Sequence, residues 1–240
     1  MEILCLTASF NRPYITQIFL EGMKRLGISV YGTCSDVNSR RLYRDYDVKG
    51  YSFIPNTPLG RKWNWGAEDA LQFTSWTHLL ISGDDNVYGD AILEKFDQHK
   101  KKDFIGLRNL YFMEPESMRA VKFRYEEDKP RKVVGAGRLL SRRAVEKASR
   151  SKDSFGGGFC LWDNTLNSGL DRSADMSLFE AGYFPYAIDG DEYLMVDIKS
   201  SQNIWKFDQF AENDPVDFSE PLSIMGENER ELIQRLTTLK

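Results

Sequence analysis

Hydrophobic and polar positions alternate along the first half of the chain in blocks that predict strands and helices in turn. Short apolar runs have the length of buried strands, and stretches with helical spacing lie between them: strands at 2–9, 28–34, 78–82 and 103–107, helices at 14–26, 61–74 and 89–100. Pro13 at the start of the first helix and Gly27 after its end match the usual helix boundaries. The alternation predicts an α/β fold with a mostly parallel sheet flanked by helices.

The pattern after residue 108 is less regular. It predicts a strand at 133–140, a helix at 141–149 capped by Ser141, a glycine loop at 156–158 and a helix at 175–181 before Gly182. Since no repeat or linker divides the chain, we expect a single domain over 1–215. The remaining residues, 216–240, form a tail whose amphipathic helix at 227–239 is expected to pack on the domain or on a partner subunit.

The strand at 78–82 leads into two adjacent acids, Asp84 and Asp85, after Ser82 and Gly83. A buried strand that ends this way places both carboxylates at the sheet edge where α/β proteins bind ligands. Neighbouring carboxylates repel each other, so keeping both ionised requires a cation. Mg²⁺ or Mn²⁺ accepts oxygen ligands and binds a diphosphate at the same time. The alternative is an ordinary turn, since Gly-Asp and Asp-Asn are common turn sequences.

Composition narrows the chemistry. The chain has two histidines and three widely spaced cysteines, which leaves few groups for a zinc site or a Ser-His-Asp triad. Catalysis is therefore expected to rely on carboxylates. No apolar stretch reaches the ~20 residues of a membrane span, and the N-terminal residues have the pattern of a strand rather than of a signal peptide. We expect reduced thiols and a cytoplasmic protein.

The net charge of −4 conceals a strongly basic segment at 119–152. This segment contains twelve basic and four acidic residues, a net charge of +8, which leaves −12 on the rest of the chain. Such clustering favours an anionic partner such as DNA or an anionic glycan. The alternative is a solvated helix face and loop.

Four short segments, in order along the chain, carry a family resemblance: the strand and loop 6–13, Asp36 after the second strand, the stretch 59–66, and Gly83-Asp84-Asp85-Asn86. Together they resemble the nucleotide-sugar glycosyltransferases of the GT-A fold, especially the inverting family-2-like enzymes. The resemblance implies a Rossmann-like, mixed and mostly parallel sheet. It also implies sugar transfer from a nucleotide diphosphate sugar, for which we expect a UDP-linked donor. Gly83 departs from the family pattern, because the D-x-D motif has an acid there.

The resemblance and the chemistry of the side chains assign candidate roles. Asp85 would bind Mn²⁺ or Mg²⁺, and Asp84 would contact the ribose or the sugar. The other candidates for substrate binding are Asp36, which would recognise the nucleobase, and the following residues: Thr7, Ser9, Asn11 and Arg12 in the opening loop, Arg61, Lys62, Trp63 and Asn64 in the third segment, and Lys199. Arg61 and Lys62 offer charge-assisted hydrogen bonds to phosphates. Trp63 is alternatively a core residue, and Lys199 belongs to a polar stretch, 196–205, that is either a lid or a surface loop.

An inverting transfer needs one general base near the acceptor hydroxyl. By resemblance, that base lies about eleven residues before a Gly-Tyr pair, and counting back from Gly182 gives Asp171. Asp163 and Asp175 are the competitors. The alternative for Asp171 is a helix N-cap.

Other functions and two acceptor classes stay open. The acceptor is either a polyanion, such as DNA with hydroxymethylated bases, or a surface glycan. A sugar-1-phosphate nucleotidyltransferase is an alternative enzyme, although the loop at 7–12 lacks the glycine-rich sequence of that class. A non-catalytic nucleotide-sugar- or carbohydrate-binding protein is the third possibility.

Overall fold

The computed structural model describes residues 1–126, 132–150, 159–188 and 190–238. The predicted glycine loop at 156–158 lies outside these ranges. The strands are β1 Ile3–Ser9, β2 Ser29–Cys34, β3 Gly50–Phe53, β4 His78–Ile81, β5 Asn86–Tyr88, β6 Phe104–Leu107, β7 Asn109–Glu114, β8 Arg119–Arg124, β9 Arg138–Ser141, β10 Tyr186–Ile188, β11 Met195–Ile198 and β12 Asp214–Val216. The helices are α1 Pro13–Arg25, α2 Val37–Asp45, α3 Leu59–Phe73, α4 Ile92–Gln98, α5 Arg142–Arg150, α6 Leu170–Glu180, α7 Ser219–Leu222 and α8 Glu227–Thr238, and 3₁₀ turns lie at Pro115–Ser117 and Phe207–Gln209.

Within the described ranges, seven strands form the main sheet, in the order β10-β6-β9-β4-β1-β2-β3. β1 pairs in parallel with β2 and β4, and β2 pairs in parallel with β3. β9 is antiparallel to both β4 and β6. The central strand β1 is almost entirely buried, as expected of a strand covered on both faces. The predicted mixed, mostly parallel sheet flanked by helices is confirmed.

A second sheet of five described strands, β12-β8-β7-β11-β5, was not predicted. β11 lies between β7 and β5, so it joins segments about 85 and 110 residues apart in the sequence. Local alternation cannot show such pairing, because each strand is short and its partner is remote. The two sheets meet where β4 leads through the Asp84-Asp85 turn into β5.

Several predicted boundaries are wrong where glycines interrupt the apolar pattern. The strand predicted at 133–140 is β9 at Arg138–Ser141, because Gly137 before it has a left-handed φ of 74°. The helix predicted at 175–181 begins at Leu170, after Gly169 with φ 67°. α2 and β3 were not predicted.

Three predicted helix boundaries are confirmed. Pro13 is the first residue of α1, and Gly27 follows it with φ 65°. Ser141 Oγ accepts a hydrogen bond from the Ala144 N–H at 3.2 Å, at the start of α5.

The C-terminal residues pack on the main body. Ile233 of α8 is fully buried in a cluster with Ile15 and Ile18 of α1. Glu229, also buried, accepts a hydrogen bond from Arg25 Nε at 2.7 Å. α8 therefore completes the hydrophobic layer over α1. Among the described helices, none combines the length and the apolar character needed to cross a bilayer.

We expect Ile233→Ala to lower the free energy of unfolding by about 2–5 kcal/mol, because it leaves a cavity between α8 and α1. Urea denaturation would measure the change, with Glu231→Ala, exposed on the same helix, as the control. Equal stability of the two variants would contradict the packing described for α8.

Candidate functional site

Asp84 and Asp85 lie in the turn that connects the two sheets. β4 ends at Ile81 in the seven-stranded sheet, and β5 begins at Asn86 in the five-stranded one. Between them, Asp84 is fully buried. The carbonyl of Asp85 accepts the Ile198 N–H at 2.8 Å, which fixes the turn against the end of β11. The turn thus holds both carboxylates at the carboxyl end of β4, as the sequence predicts.

Arg12 bridges both carboxylates. Its Nη1 donates to Asp85 Oδ2 at 2.8 Å, and its Nη2 donates to Asp84 Oδ1. The Arg12 side chain is only 14% exposed and projects from the residue just before α1. Charge-assisted pairs of this kind are strong because the guanidinium presents its donors in a fixed fork. An arginine thus supplies a cation that the adjacent acids require.

The two acids differ in environment. Burial raises the pKa of Asp84, although Arg12 opposes the shift and Thr16 Oγ1 donates to Asp84 Oδ2 at 2.6 Å. Burial also acts on Asp85, but Arg12 and Lys199 outweigh it and hold the pKa of Asp85 below its ordinary value. Asp85 is therefore the acid whose ionised form is favoured.

A third acid, Asp197 in β11, lies in the same cluster and was missed by the sequence analysis. Burial raises its pKa to about 6, while Lys199 opposes the shift and Asp85 adds to it. Lys199 Nζ lies 2.9 Å from Asp197 Oδ1. Asn203 was missed as well; its Nδ2 donates to Asp85 Oδ2 at 2.7 Å. Both residues are more than 110 positions from Asp85, so no sequence spacing indicates them.

Thr16 was also missed, although its position gave a signal. It follows Arg12 by four residues at the start of α1, so both side chains lie on one helix face.

The polar stretch predicted at 196–205 is a loop only after residue 198, and Lys199 in it is buried rather than exposed. Residues 195–198 are strand β11, and Lys199 is only 5% exposed. Its ammonium lies 4.9 Å and 5.1 Å from the ring centroids of Phe112 and Phe210. The side chain pairs inward with Asp197, so a contact with phosphate stays a prediction that requires this pair to rearrange.

Gly83 has a steric reason to depart from the D-x-D pattern. A Cβ at this position would overlap Asp85 Oδ1. The Gly83 N–H also donates to Asn86 Oδ1 at 2.9 Å, which closes the turn. The missing side chain at 83 therefore allows the Asp85 carboxylate to lie over the turn.

The opening loop is held by its own contacts. Ser9 Oγ lies 2.6 Å from Tyr43 Oη, and Thr7 and Ser9 are both fully buried. Asn11, with a left-handed φ of 57°, donates its N–H to Asp36 Oδ2 at 2.8 Å. Asp36 also caps α2 through the Ser39 N–H at 2.9 Å. In this arrangement Ser9 and Asp36 shape the loop, and nucleotide contacts by Thr7, Ser9 and Asp36 stay predictions.

Lys62 lies under this loop. It is only 1% exposed, and its Nζ donates to the Ser9 carbonyl at 2.7 Å and to Asn56 Oδ1 at 3.0 Å. Burial lowers its pKa to about 8, although Asp84 opposes the shift. Lys62 thus ties the end of β1 to the loop before α3. Arg61, its neighbour, is exposed.

Asn64 joins α3 to a distant segment. Its Oδ1 accepts the N–H groups of Leu161 and Trp162, each at 2.9 Å, and its Nδ2 donates to the Trp162 carbonyl at 2.6 Å. Trp63, half-buried, packs on Trp162 with 5.4 Å between ring centroids. Both side chains position residues 161–164, and a substrate contact by either stays a prediction.

The three candidate bases have different surroundings. Asp175 is paired with Arg138 at 3.0 Å, and Asp163 Oδ1 accepts the Thr165 N–H at 2.9 Å. Asp171 is exposed, and its carboxylate lies against Gly135, where a Cβ would overlap it. Asp171 lies in the first turn of α6, whose N-cap is Gly169, so the N-cap alternative for Asp171 is wrong.

The basic segment 119–152 is distributed over both sheets of the fold. β8 joins the five-stranded sheet, whereas β9 belongs to the main sheet and α5 follows it. Of the basic residues described in this segment, six pair with carboxylates: Arg119, Lys122, Arg124, Arg138, Arg142 and Arg143. Lys129, Arg131 and Lys152 lie outside the described residues. Acids from other parts of the chain thus offset part of the +8 of the linear segment, which weakens the argument for a polyanionic acceptor.

The side chains available as metal ligands in this site meet the needs of a divalent ion only in part. Among the described residues, no group of three or more His, Cys, Asp or Glu side chains is arranged to hold one. Mg²⁺ commonly uses one or two carboxylates and completes its shell with water and substrate phosphates, so Asp85 meets that minimum. Its Oδ2, however, already accepts hydrogen bonds from Arg12 and Asn203.

Solved structures similar to this chain include three of TarS from S. aureus. TarS 1-349 matches with TM-score 0.52 and 10% identity, over 82% of this chain and 60% of that one. A longer TarS structure matches with TM-score 0.56 and 12% identity, over 83% and 37%. TarS 1-349 in complex with UDP-GlcNAc matches with TM-score 0.55 and 12% identity, over 85% and 60%.

These similarities show that this chain has a fold of the GT-A type, a mixed sheet flanked by helices. This chain spans 60% or less of the length of these TarS structures. No protein-family model matches the sequence, and a search of curated proteins gave no match.

We expect Gly83→Ala to lower the free energy of unfolding by about 1–3 kcal/mol, because the methyl group overlaps Asp85 Oδ1. In an Asp85→Ala background the same change should cost less than about 0.5 kcal/mol. A double-mutant cycle measured in urea tests this coupling. Equal costs in both backgrounds would show that Asp85 does not lie over Gly83.

Lys62 should make stability depend on pH. Its pKa of about 8 in the folded protein is below the ordinary 10.5, so the unfolded chain binds more protons between these values. Stability should therefore rise by up to about 1.4 kcal/mol per pH unit from pH 8 to 10.5, relative to Lys62→Met. Urea denaturation at a series of pH values measures this difference, and parallel profiles for the two proteins would contradict it.

Proposed function

We propose that this protein is a nucleotide-sugar glycosyltransferase that inverts the anomeric centre and requires Mn²⁺ or Mg²⁺. The observation that carries the proposal is the buried carboxylate pair bridged by Arg12 at the carboxyl end of β4, in a chain with the GT-A fold. The similarity to TarS in complex with UDP-GlcNAc supports a UDP-linked donor.

The site residues would divide the work on the donor. Asp85 is proposed to hold the divalent ion, which when bound would offset the charge of the leaving diphosphate. Arg12 provides a positive charge beside the same position, and its fork of donors suits phosphate oxygens. Asn11 is exposed at the rim of this loop, while Lys62 and Asp36 hold the loop in place.

Asp171 is proposed as the base that takes the proton from the acceptor hydroxyl. Among the described residues, its carboxylate has no ion pair, whereas Asp175 is held by Arg138. An exposed carboxylate is accessible to an acceptor. It lies in the first turn of α6, with its carboxylate against Gly135.

The acceptor is proposed to be a hydroxyl of a glycan rather than a polyanion, because six of the nine described basic residues of segment 119–152 pair with carboxylates. Measuring binding to duplex DNA at increasing salt distinguishes the two. Tight, strongly salt-dependent binding would favour a DNA acceptor instead.

A thermal-shift panel of nucleotide sugars, with and without Mn²⁺, tests the donor assignment. Ligand binding to the folded state raises the melting temperature by mass action, so the correct donor should give the largest shift. UDP release on incubation with UDP-GlcNAc and Mn²⁺ would then show turnover. Absence of both a shift and release across the panel would refute the proposed function.

We expect Asp171→Asn to lower kcat for transfer by about 10²- to 10⁴-fold while leaving donor affinity unchanged, because only proton transfer is lost. Asp163→Asn is the matched control, since that carboxylate is engaged by Thr165. Steady-state kinetics and donor titrations give the two quantities. Retained activity in Asp171→Asn would assign the base to another residue.

A further inference from the structure

We infer that Arg12 is the resident counter-ion of the acid site, and that it makes binding of the divalent ion depend on the donor diphosphate. This inference rests on the proposed function. It concerns the order in which ligands enter the site: the free protein should bind Mn²⁺ weakly, and the nucleotide and Mn²⁺ should strengthen each other.

Most carboxylate oxygens of the acid pair are already engaged by hydrogen-bond donors. In the described part of the chain, three of the four oxygens of Asp84 and Asp85 accept hydrogen bonds from Arg12, Thr16 or Asn203 side chains. A divalent ion needs direct oxygen ligands. An ion on Asp85 Oδ2 would displace Arg12 Nη1, which is 2.8 Å away, or would lie next to the guanidinium charge.

The balance of charge also opposes binding of the ion alone. The side chains joined by ion pairs are the carboxylates of Asp84, Asp85 and Asp197 and the cations of Arg12 and Lys199, which leaves a formal excess of one negative charge among them. A divalent ion alone would reverse that sign in a buried site, where unbalanced charge is costly. A divalent ion that enters with a diphosphate leaves the balance close to its starting value.

Arg12 can move without a change in the fold. It is the residue just before α1, and its side chain is 14% exposed, about as much as those of Asp85 and Asp197, whereas Asp84 is fully buried. Its long side chain can turn from the acids towards phosphate oxygens outside them without moving α1. The Arg12 guanidinium would then break its hydrogen bond with Asp85, which would bind the ion, and would donate to the diphosphate instead.

Electron paramagnetic resonance of free Mn²⁺ tests this inference without an activity assay. Mn²⁺ is titrated into the wild-type protein and into Arg12→Gln, each with and without saturating UDP. In the wild type, UDP should tighten Mn²⁺ binding by about 5- to 150-fold, the usual range for coupled sites. Without UDP, Mn²⁺ should bind Arg12→Gln more tightly than it binds the wild type. The gain in Mn²⁺ affinity on addition of UDP should be smaller in Arg12→Gln than in the wild type.

By reciprocity, Mn²⁺ should tighten UDP binding to the wild type by the same factor. Calorimetric titration of UDP measures this independently. Arg235→Gln, which removes an exposed arginine of α8, is the matched control and should behave as the wild type does. If Arg12→Gln fails to fold, Arg12→Lys, which keeps the charge but loses the fork, should give an intermediate coupling.

The inference is overturned if the wild type binds Mn²⁺ equally well with and without UDP, or if removing the Arg12 fork leaves Mn²⁺ affinity unchanged. Those results would leave the proposed function intact, provided that UDP and UDP-sugars bind. If neither UDP nor any nucleotide sugar binds any variant, the proposed function itself fails.

Discussion

Burying two adjacent carboxylates between two sheets is the constraint on which the rest of this site depends. Asp84 is fully buried at the turn from β4 to β5, and such a charge is stable only with a close cation and hydrogen-bond donors. Arg12 supplies the cation, while Thr16 and Asn203 supply further donors. Because these groups come from the start of α1 and from the segment after β11, the acid pair holds together parts of the chain about 190 residues apart.

A surrounding layer of contacts keeps these groups in place. Lys62 fixes the end of β1 through the Ser9 carbonyl, and Asp36 fixes Asn11. Gly83 leaves room for the Asp85 carboxylate, and Gly135 leaves room for that of Asp171. Several residues that resemblance assigns to the substrate are therefore engaged within the protein. Their buried hydrogen bonds determine where the exposed groups point, which is the usual way in which binding sites are made precise.

Part of this arrangement was predictable because its signals are local. The strand at 78–82 that ends in two acids, the helix that begins at Pro13 and the cap at Ser141 are set by residues within a few positions of one another. The five-stranded sheet was not predictable in this way, since β11 pairs with strands about 85 and 110 residues away. The basic segment shows the same limit: its linear charge is clear, but its acidic partners, such as Asp191 and Glu220, lie far along the chain.

The sequence by itself thus determined the fold class, the position of the acid pair at the end of a buried strand and the resemblance to GT-A glycosyltransferases. Those properties follow from periodicity and from motifs that lie within short stretches. Only the tertiary structure decided that Arg12 bridges both acids, that Asp197 and Asn203 join them, and that Lys199 is buried rather than exposed on a loop. Ion pairing and burial depend on which remote segments come into contact. Those contacts are determined by the free energy of the complete fold and not by any short stretch of sequence.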